Sequence, residues 1–167
     1  MRPFIALIAA GAVFAGVLAW AAAAAPDDLQ RAKSASARFH SLVQAERAGY
    51  VPDPFCVPAP PDFPPGGAMG YHFENVALME DAVLDPTQPE MLLYERKPNG
   101  KYRLIGLEYY IEADQVTSRP SLFGVPFEGP FDPHHPGMEV HYDLHVWLWK
   151  DNPAGLFAPF NPNVSCP

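Results

Sequence analysis

An α+β fold, with an antiparallel sheet packed against one N-terminal amphipathic helix and with long proline-rich loops, is what this sequence predicts. Three observations carry that expectation. The stretch after Pro26 repeats apolar residues at helical spacing. Several later segments alternate apolar and polar residues with the period of a strand. Prolines crowd the intervals between them, where neither a helix nor a central strand can run.

Residues 1–24 read as a signal peptide. Arg2 is the basic start, Phe4 to Leu18 the apolar core, and Ala21 to Ala25 the small-residue cleavage zone. Pro26 disfavours a cut directly before it, which places cleavage after Ala23 or Ala24. The apolar run also approaches the ~20 residues that span a bilayer, so an uncleaved anchor is the alternative, and the alanine-rich end favours cleavage. Residues 25–167 then form a single exported globular domain, periplasmic or extracellular, with no stable membrane insertion once the leader is gone. The formal net charge of −8, one unit more negative without Arg2, argues against nucleic acid or an anionic membrane as partner. Cys56 and Cys166 make an even pair in an exported chain, hence an expected disulfide. It closes a loop of about 110 residues, worth at most ~4.7 kcal/mol by chain entropy. A cysteine-ligated metal is the weaker reading, since neither thiol has a second one nearby.

In chain order, residues 27–48 read as one helix capped by Asp27 or Asp28. Its stripe is Leu29, Ala32, Ser36, Phe39, Val43 and Glu46, with Leu42 beside it and Gly49 as the stop. His40 lies at the border of that stripe, where a histidine is more often packed or solvated than a ligand. Residues 51–67 read as an irregular strap held by Cys56. Gly70–Asn75 is a short strand with His72 and Glu74 on one face and Tyr71 and Phe73 on the other. Residues 76–85 suit a helical turn or two before Pro86. Met91–Tyr94 and Tyr102–Ile111 are strands joined by a hairpin over Lys97–Lys101, where Asn99-Gly100 suits a type I′ turn. On the longer strand Ile105, Leu107, Tyr109 and Ile111 share a face, opposite Leu104, Gly106, Glu108 and Tyr110. Glu108 therefore either sits at a solvated edge or has a partner. Residues 113–138 form a long Pro/Gly-rich connection anchored by Leu122, Phe123 and Phe127, in which His134 and His135 are expected to be solvated.

The run Glu139–Trp149 is the richest in chemistry. Glu139, His141, Asp143, His145, Trp147 and Trp149 occupy one face of a strand; Val140, Leu144 and Leu148 also fall four apart and keep a helix as the alternative. The turn-rich tail beyond it is expected to be pinned back by Cys166.

The segments Gly67-Ala-Met-Gly-Tyr-His-Phe73, Tyr142-Asp-Leu-His-Val-Trp-Leu-Trp149 and Asn161-Pro-Asn-Val-Ser-Cys166, with Pro89–Tyr94, Gly106–Tyr109 and Leu122–Gly124 between them, resemble a family of bacterial exported proteins without an established activity. The resemblance covers most of the mature chain. It implies export and a globular fold, and supplies no catalytic residues.

Function therefore has to be argued from the side chains. Imidazole and carboxylate gathered from several elements suit zinc, copper or iron. The expected site is a divalent transition metal held by His72, His145 and one of His141, Glu108 or His40, with Asp143 orienting an imidazole from behind and catalysis left open. On a strand His141 and His145 stand ~13 Å apart at Cα, so the natural chelating pairs along the chain are two residues apart: His141 with Asp143, Asp143 with His145, and His72 with Glu74. No HExxH, GxSxG, phosphate-loop or dinucleotide motif is present. The alternative is a non-catalytic envelope module binding a small molecule on an exposed Trp147/Trp149 face; against it stands plain core packing of both rings.

Overall fold

A computed structural model describes residues 26–133 and 138–167; the predicted signal peptide at 1–24, its cleavage site, and His134 and His135 lie outside them. Six strands form one antiparallel sheet in the order β1-β2-β3-β4-β8-β7. They are β1 (Val51–Pro58), β2 (Ala68–Glu74), β3 (Met91–Arg96), β4 (Tyr102–Glu112), β7 (Glu128–Phe131) and β8 (His141–Val146). A separate small hairpin pairs β5 (Ser121–Leu122) with β6 (Val125–Pro126). Among the described residues no helix is long and apolar enough to cross a membrane. The α+β class is as predicted.

The N-terminal helix is not continuous. It runs as α1 (Pro26–Ser36), a 3-10 turn over Ala37–His40, and α2 (Leu42–Arg47) after an extended Ser41. Ser36, where α1 ends, is held by a contact from far along the chain. The Ser36 hydroxyl donates to the Ala32 carbonyl at 2.8 Å and accepts the Trp149 indole N–H at 3.1 Å. A serine so engaged competes with the helical ladder. The phase changes beyond Ser41: Ala45 is buried, whereas Val43, expected in the stripe, is 53% exposed.

Two segments read as irregular contain strands, and both are at edges. β1 carries Pro52, Pro54 and Pro58; β7 carries Pro130. Proline cannot donate to a neighbour, and an edge strand tolerates that loss on its outer side. Cys56 of β1 is bonded to Cys166, so the disulfide ties an edge strand to the end of the chain. The third helix, α3 (Val76–Met79), is a single turn.

The β3–β4 hairpin forms, with a different turn. Gly100 N–H donates to the Lys97 carbonyl at 2.8 Å and Gly100 has φ +78°, while Asn99 is not at positive φ. Pro98 holds its φ negative, so the turn is centred on Pro98-Asn99 with Gly100 as the left-handed bulge residue. The two consecutive positive φ values of a type I′ turn occur instead at Phe123 (+54°) and Gly124 (+74°), between β5 and β6. Phe123 is buried against Tyr109, ring centroids 5.3 Å apart, and that packing offsets an unfavourable backbone.

A bulge in β4 changes the predicted faces at one end. Leu93 pairs with Gly106 but Tyr94 with Leu104, leaving Ile105 as the extra residue. Leu104 consequently joins Leu107, Tyr109 and Ile111 in the main core, and Ile105 joins Ala68, Leu93, Trp147 and Val164 in a second cluster. The main core lies between the sheet and the broken helix. Buried tyrosines anchor to backbone there: Tyr94 donates to Phe39 O at 2.6 Å, Tyr50 to Pro89 O at 2.6 Å and Tyr109 to Pro86 O at 2.7 Å. On the other face the C-terminal tail seals the second cluster. Asn161 and Ala68 exchange backbone hydrogen bonds at 3.1 and 3.2 Å. Only glycine fits at 67, where a Cβ would come within 2.1 Å of the Asn161 carbonyl oxygen. The Asn161–Cys166 motif is thus structural.

Candidate metal centre

Between the second cluster and a methionine-rich cluster of Met91, Tyr110 and Met138, the sheet face is polar. The register explains which residues meet there. His145 of β8 is directly opposite Glu108 of β4, and Glu108 is opposite Met91 of β3, which faces Glu74 of β2. Residues opposite one another project to the same side. His72 of β2, one pair further along, shares that side through Leu93 and Gly106.

The outcome is a triad. His72 Nε2 lies 2.9 Å from Glu108 Oε2, and His145 Nε2 lies 3.5 Å from the same oxygen. All three residues are buried, and one ligand atom from each falls within 4.8 Å of the others. They are close enough to hold a metal ion. His145 Nε2 is fully buried without a hydrogen-bond partner, while Glu108 Oε2, equally buried, has the His72 ring 2.9 Å away as its ion-pair partner. A carboxylate oxygen in the interior is costly unless something electropositive faces it. The separations are comparable to the ~3.3 Å edge of a tetrahedron with ~2.0–2.1 Å metal–ligand bonds.

Burial works against charge on Glu108, yet the His145 and His72 imidazoles outweigh it and hold the carboxyl below its usual range. Burial likewise disfavours a charged His72, but the adjacent Glu108, with Glu74 and Asp53, raises its pKa. His145 goes the other way: burial lowers it and His72 adds to the effect against the pull of Glu108. Of the two rings, His72 is therefore the one that Glu108 favours in its protonated form, and His145 the one that burial favours as a neutral imidazole. Asp143 is pushed up by burial and by the neighbouring Glu108 and Glu128.

Of the expected ligands, the structure brings together His72, Glu108 and His145 and leaves His141 and His40 outside that group. His141 is buried, its Nδ1 is 2.8 Å from the Glu139 carbonyl, and its ring stacks on Tyr110 with centroids 4.9 Å apart. His40 is exposed and meets Trp149 edge-on at 4.5 Å. Asp143 lies behind His145, Oδ1 to Nδ1 3.7 Å, on the side where a carboxylate can orient the ring. The chelating set comes from three strands rather than from pairs two apart along one.

The tryptophan platform is overturned. β8 ends at Val146, and Trp147 is 3% exposed inside the second cluster, its Nε1–H donating to Ala158 O at 2.6 Å. Trp149 packs against the other core and donates to Ser36. The two rings therefore share no face.

His72 and Glu108 of the triad, with Asp143, line a cleft of about 430 Å³, of which His145 is not a lining residue. Asp53 of β1 and Glu128 of β7 also line it, so the sheet curls until its two edges meet over one cavity. The tail adds Phe160 and the loop after β1 adds Phe63. Sequence reasoning missed these walls: nothing in the local pattern of Asp53, Phe63, Glu128 or Phe160 marks them as neighbours. Comparison with protein-family models, with curated proteins and with solved structures finds no match for this chain.

Proposed function

We propose that this is an exported protein that holds a divalent transition-metal ion through His72 Nε2, Glu108 Oε2 and His145 Nε2. One observation carries the reading: ligand atoms from three strands converge within 4.8 Å, and His145 Nε2 among them lacks any hydrogen-bond partner. Two imidazoles and one carboxylate suit zinc or ferrous iron better than the softer copper(I). His72, Glu108 and His145 would hold the ion, three protein ligands being the number found in reactive rather than structural sites, and two of them, His72 and Glu108, line the cleft. A metal there would supply Lewis acidity and a bound water of lowered pKa. Within the chain, the Asp143 carboxyl stands 3.7 Å from His145 Nδ1, and the surrounding apolar residues restrict water. Export is supported by the apolar leader, the Cys56–Cys166 bond and the resemblance of the motifs to exported proteins.

The test is metal analysis by mass spectrometry on the mature protein, purified without tag or chelator, beside a His72→Ala/His145→Ala variant. Stoichiometric zinc or iron in the wild type and none in the variant is the expected result. A metal-free protein that also takes up no added ion sinks the reading and leaves a triad held together by a proton on His72.

A further inference from the structure

We propose that the cleft beside the triad receives a small organic cation with an apolar body, of the alkylammonium class. The inference names the ligand of the same site and takes its functional meaning from the metal reading, while the binding itself depends on the cleft alone.

Five carboxylates line this cavity: Asp53, Glu74, Glu108, Glu128 and Asp143. Among the described residues no lysine or arginine lines it, and His72 is the one basic side chain there. A divalent metal in the triad would still leave three formal negative charges, or two with Asp143 protonated. Charge alone would mark only a solvated acidic surface. Here two of the acids are on the floor. Glu108 and Asp143 are 5% and 6% exposed; Glu108 is engaged by the triad, whereas Asp143 Oδ1 is buried without a hydrogen-bond partner. An unsatisfied acceptor at the bottom of a cavity calls for a positive occupant. Asp53 and Glu128 come from opposite edges of the sheet, so the curl concentrates their field inward.

The walls decide what kind of cation. Phe63, Phe131 and Phe160 face the same space, with Phe63 and Phe160 edge to face at 5.0 Å. Met69, Met91 and Met138 add flexible apolar surface. Aromatic faces attract a cation, and an alkylated nitrogen gives up its weak hydration at small cost. A hydrated inorganic ion would waste these walls, and an anion would be repelled. The volume of about 430 Å³ is that of a small-molecule site.

The experiment is calorimetric titration of the mature protein, with and without prior chelation, using benzyltrimethylammonium, benzyl alcohol and benzenesulfonate. A quaternary nitrogen has no lone pair, so it cannot report on a metal by ligating it. The ammonium is expected to bind at least ten-fold more tightly than the alcohol in both preparations, and the sulfonate not to bind measurably. An Asp53→Asn/Glu128→Gln variant, changed only at partly exposed edge-strand positions, should weaken the ammonium ten-fold or more. It should leave metal content and melting temperature unchanged. Equal affinity for ammonium and alcohol, a preference for the sulfonate, or no ammonium binding at millimolar concentration overturns the proposal. Ammonium binding by a protein that takes up no metal leaves it standing and removes only the metal reading.

Discussion

Glu108 Oε2 and His145 Nε2 face each other across β4 and β8 at 3.5 Å, both buried and with no hydrogen bond between them. A carboxylate oxygen and an imidazole lone pair in that position repel unless a proton or a metal lies between them. Glu108→Gln preserves volume but removes the charge. It should lower zinc or ferrous affinity at least 100-fold while the circular dichroism stays that of the wild type. In the wild type, added metal should raise the melting temperature with a concentration dependence worth about 2.7 kcal/mol at one hundred times Kd. Thermal melts with and without a chelator check both, and a melting temperature indifferent to metal contradicts the expectation.

Trp147 is a core residue, so Trp147→Ala should destabilise by about 3–5 kcal/mol. Its ring packs with Leu93, Ile105 and Val164 beneath the tail, and its loss also orphans the Ala158 carbonyl. Urea denaturation reads the change in midpoint. A loss below ~1 kcal/mol would mean that the cluster is loosely packed.

The Cys56–Cys166 bond closes a loop of 110 residues and pins the tail against β1. Replacing both cysteines with serine should cost up to ~4.7 kcal/mol. The same denaturation experiment, run on the variant and on reduced wild type, should give matching midpoints. Disagreement between them would place the effect in side-chain packing instead of the cross-link.

Glu90 sets a pH dependence. It is 1% exposed, accepts the Tyr110 N–H at Oε2 over 3.1 Å, and burial pushes its pKa up to about 8 from an ordinary 4.5. Between those values the folded chain keeps a proton that the unfolded chain has released. This contribution to stability is therefore full below pH 4.5 and is lost as pH rises towards 8, by up to ~1.4 kcal/mol per unit. Glu90→Gln keeps the acceptor for Tyr110 and should remove that slope. Denaturation midpoints at pH 5, 6.5 and 8 for the two proteins decide it: parallel curves would show that Glu90 does not titrate in this range.

β3 and β4, buried on both faces, were legible as largely apolar runs flanking a turn. The alternation of apolar and polar residues was enough to find β2 and β8, because a strand buried differently on its two faces must repeat with period two. It also put His72 and Glu74 together on a face opposite Tyr71 and Phe73, and the structure has the latter pair in the main core and the former lining the cleft. Paired cysteines in a chain with an apolar leader were enough to anticipate the disulfide. The helix was legible as a helix, but not its break, since Ser36 is diverted by Trp149, 113 residues away.

What tertiary structure alone decided is partnership. Strand order and register bring His145 opposite Glu108 and set His72 of β2 2.9 Å from the same carboxylate; none of this is encoded in local spacing. The bulge at Ile105 exchanged Leu104 and Ile105 between faces, a shift of one residue that period-two reading cannot detect. The curl of the sheet brought Asp53 and Glu128, the acids of opposite edges, into one cavity. Local sequence specifies which way a side chain points, through the period of its own strand. Which other side chain it meets depends on hydrogen bonding between strands far apart in the chain.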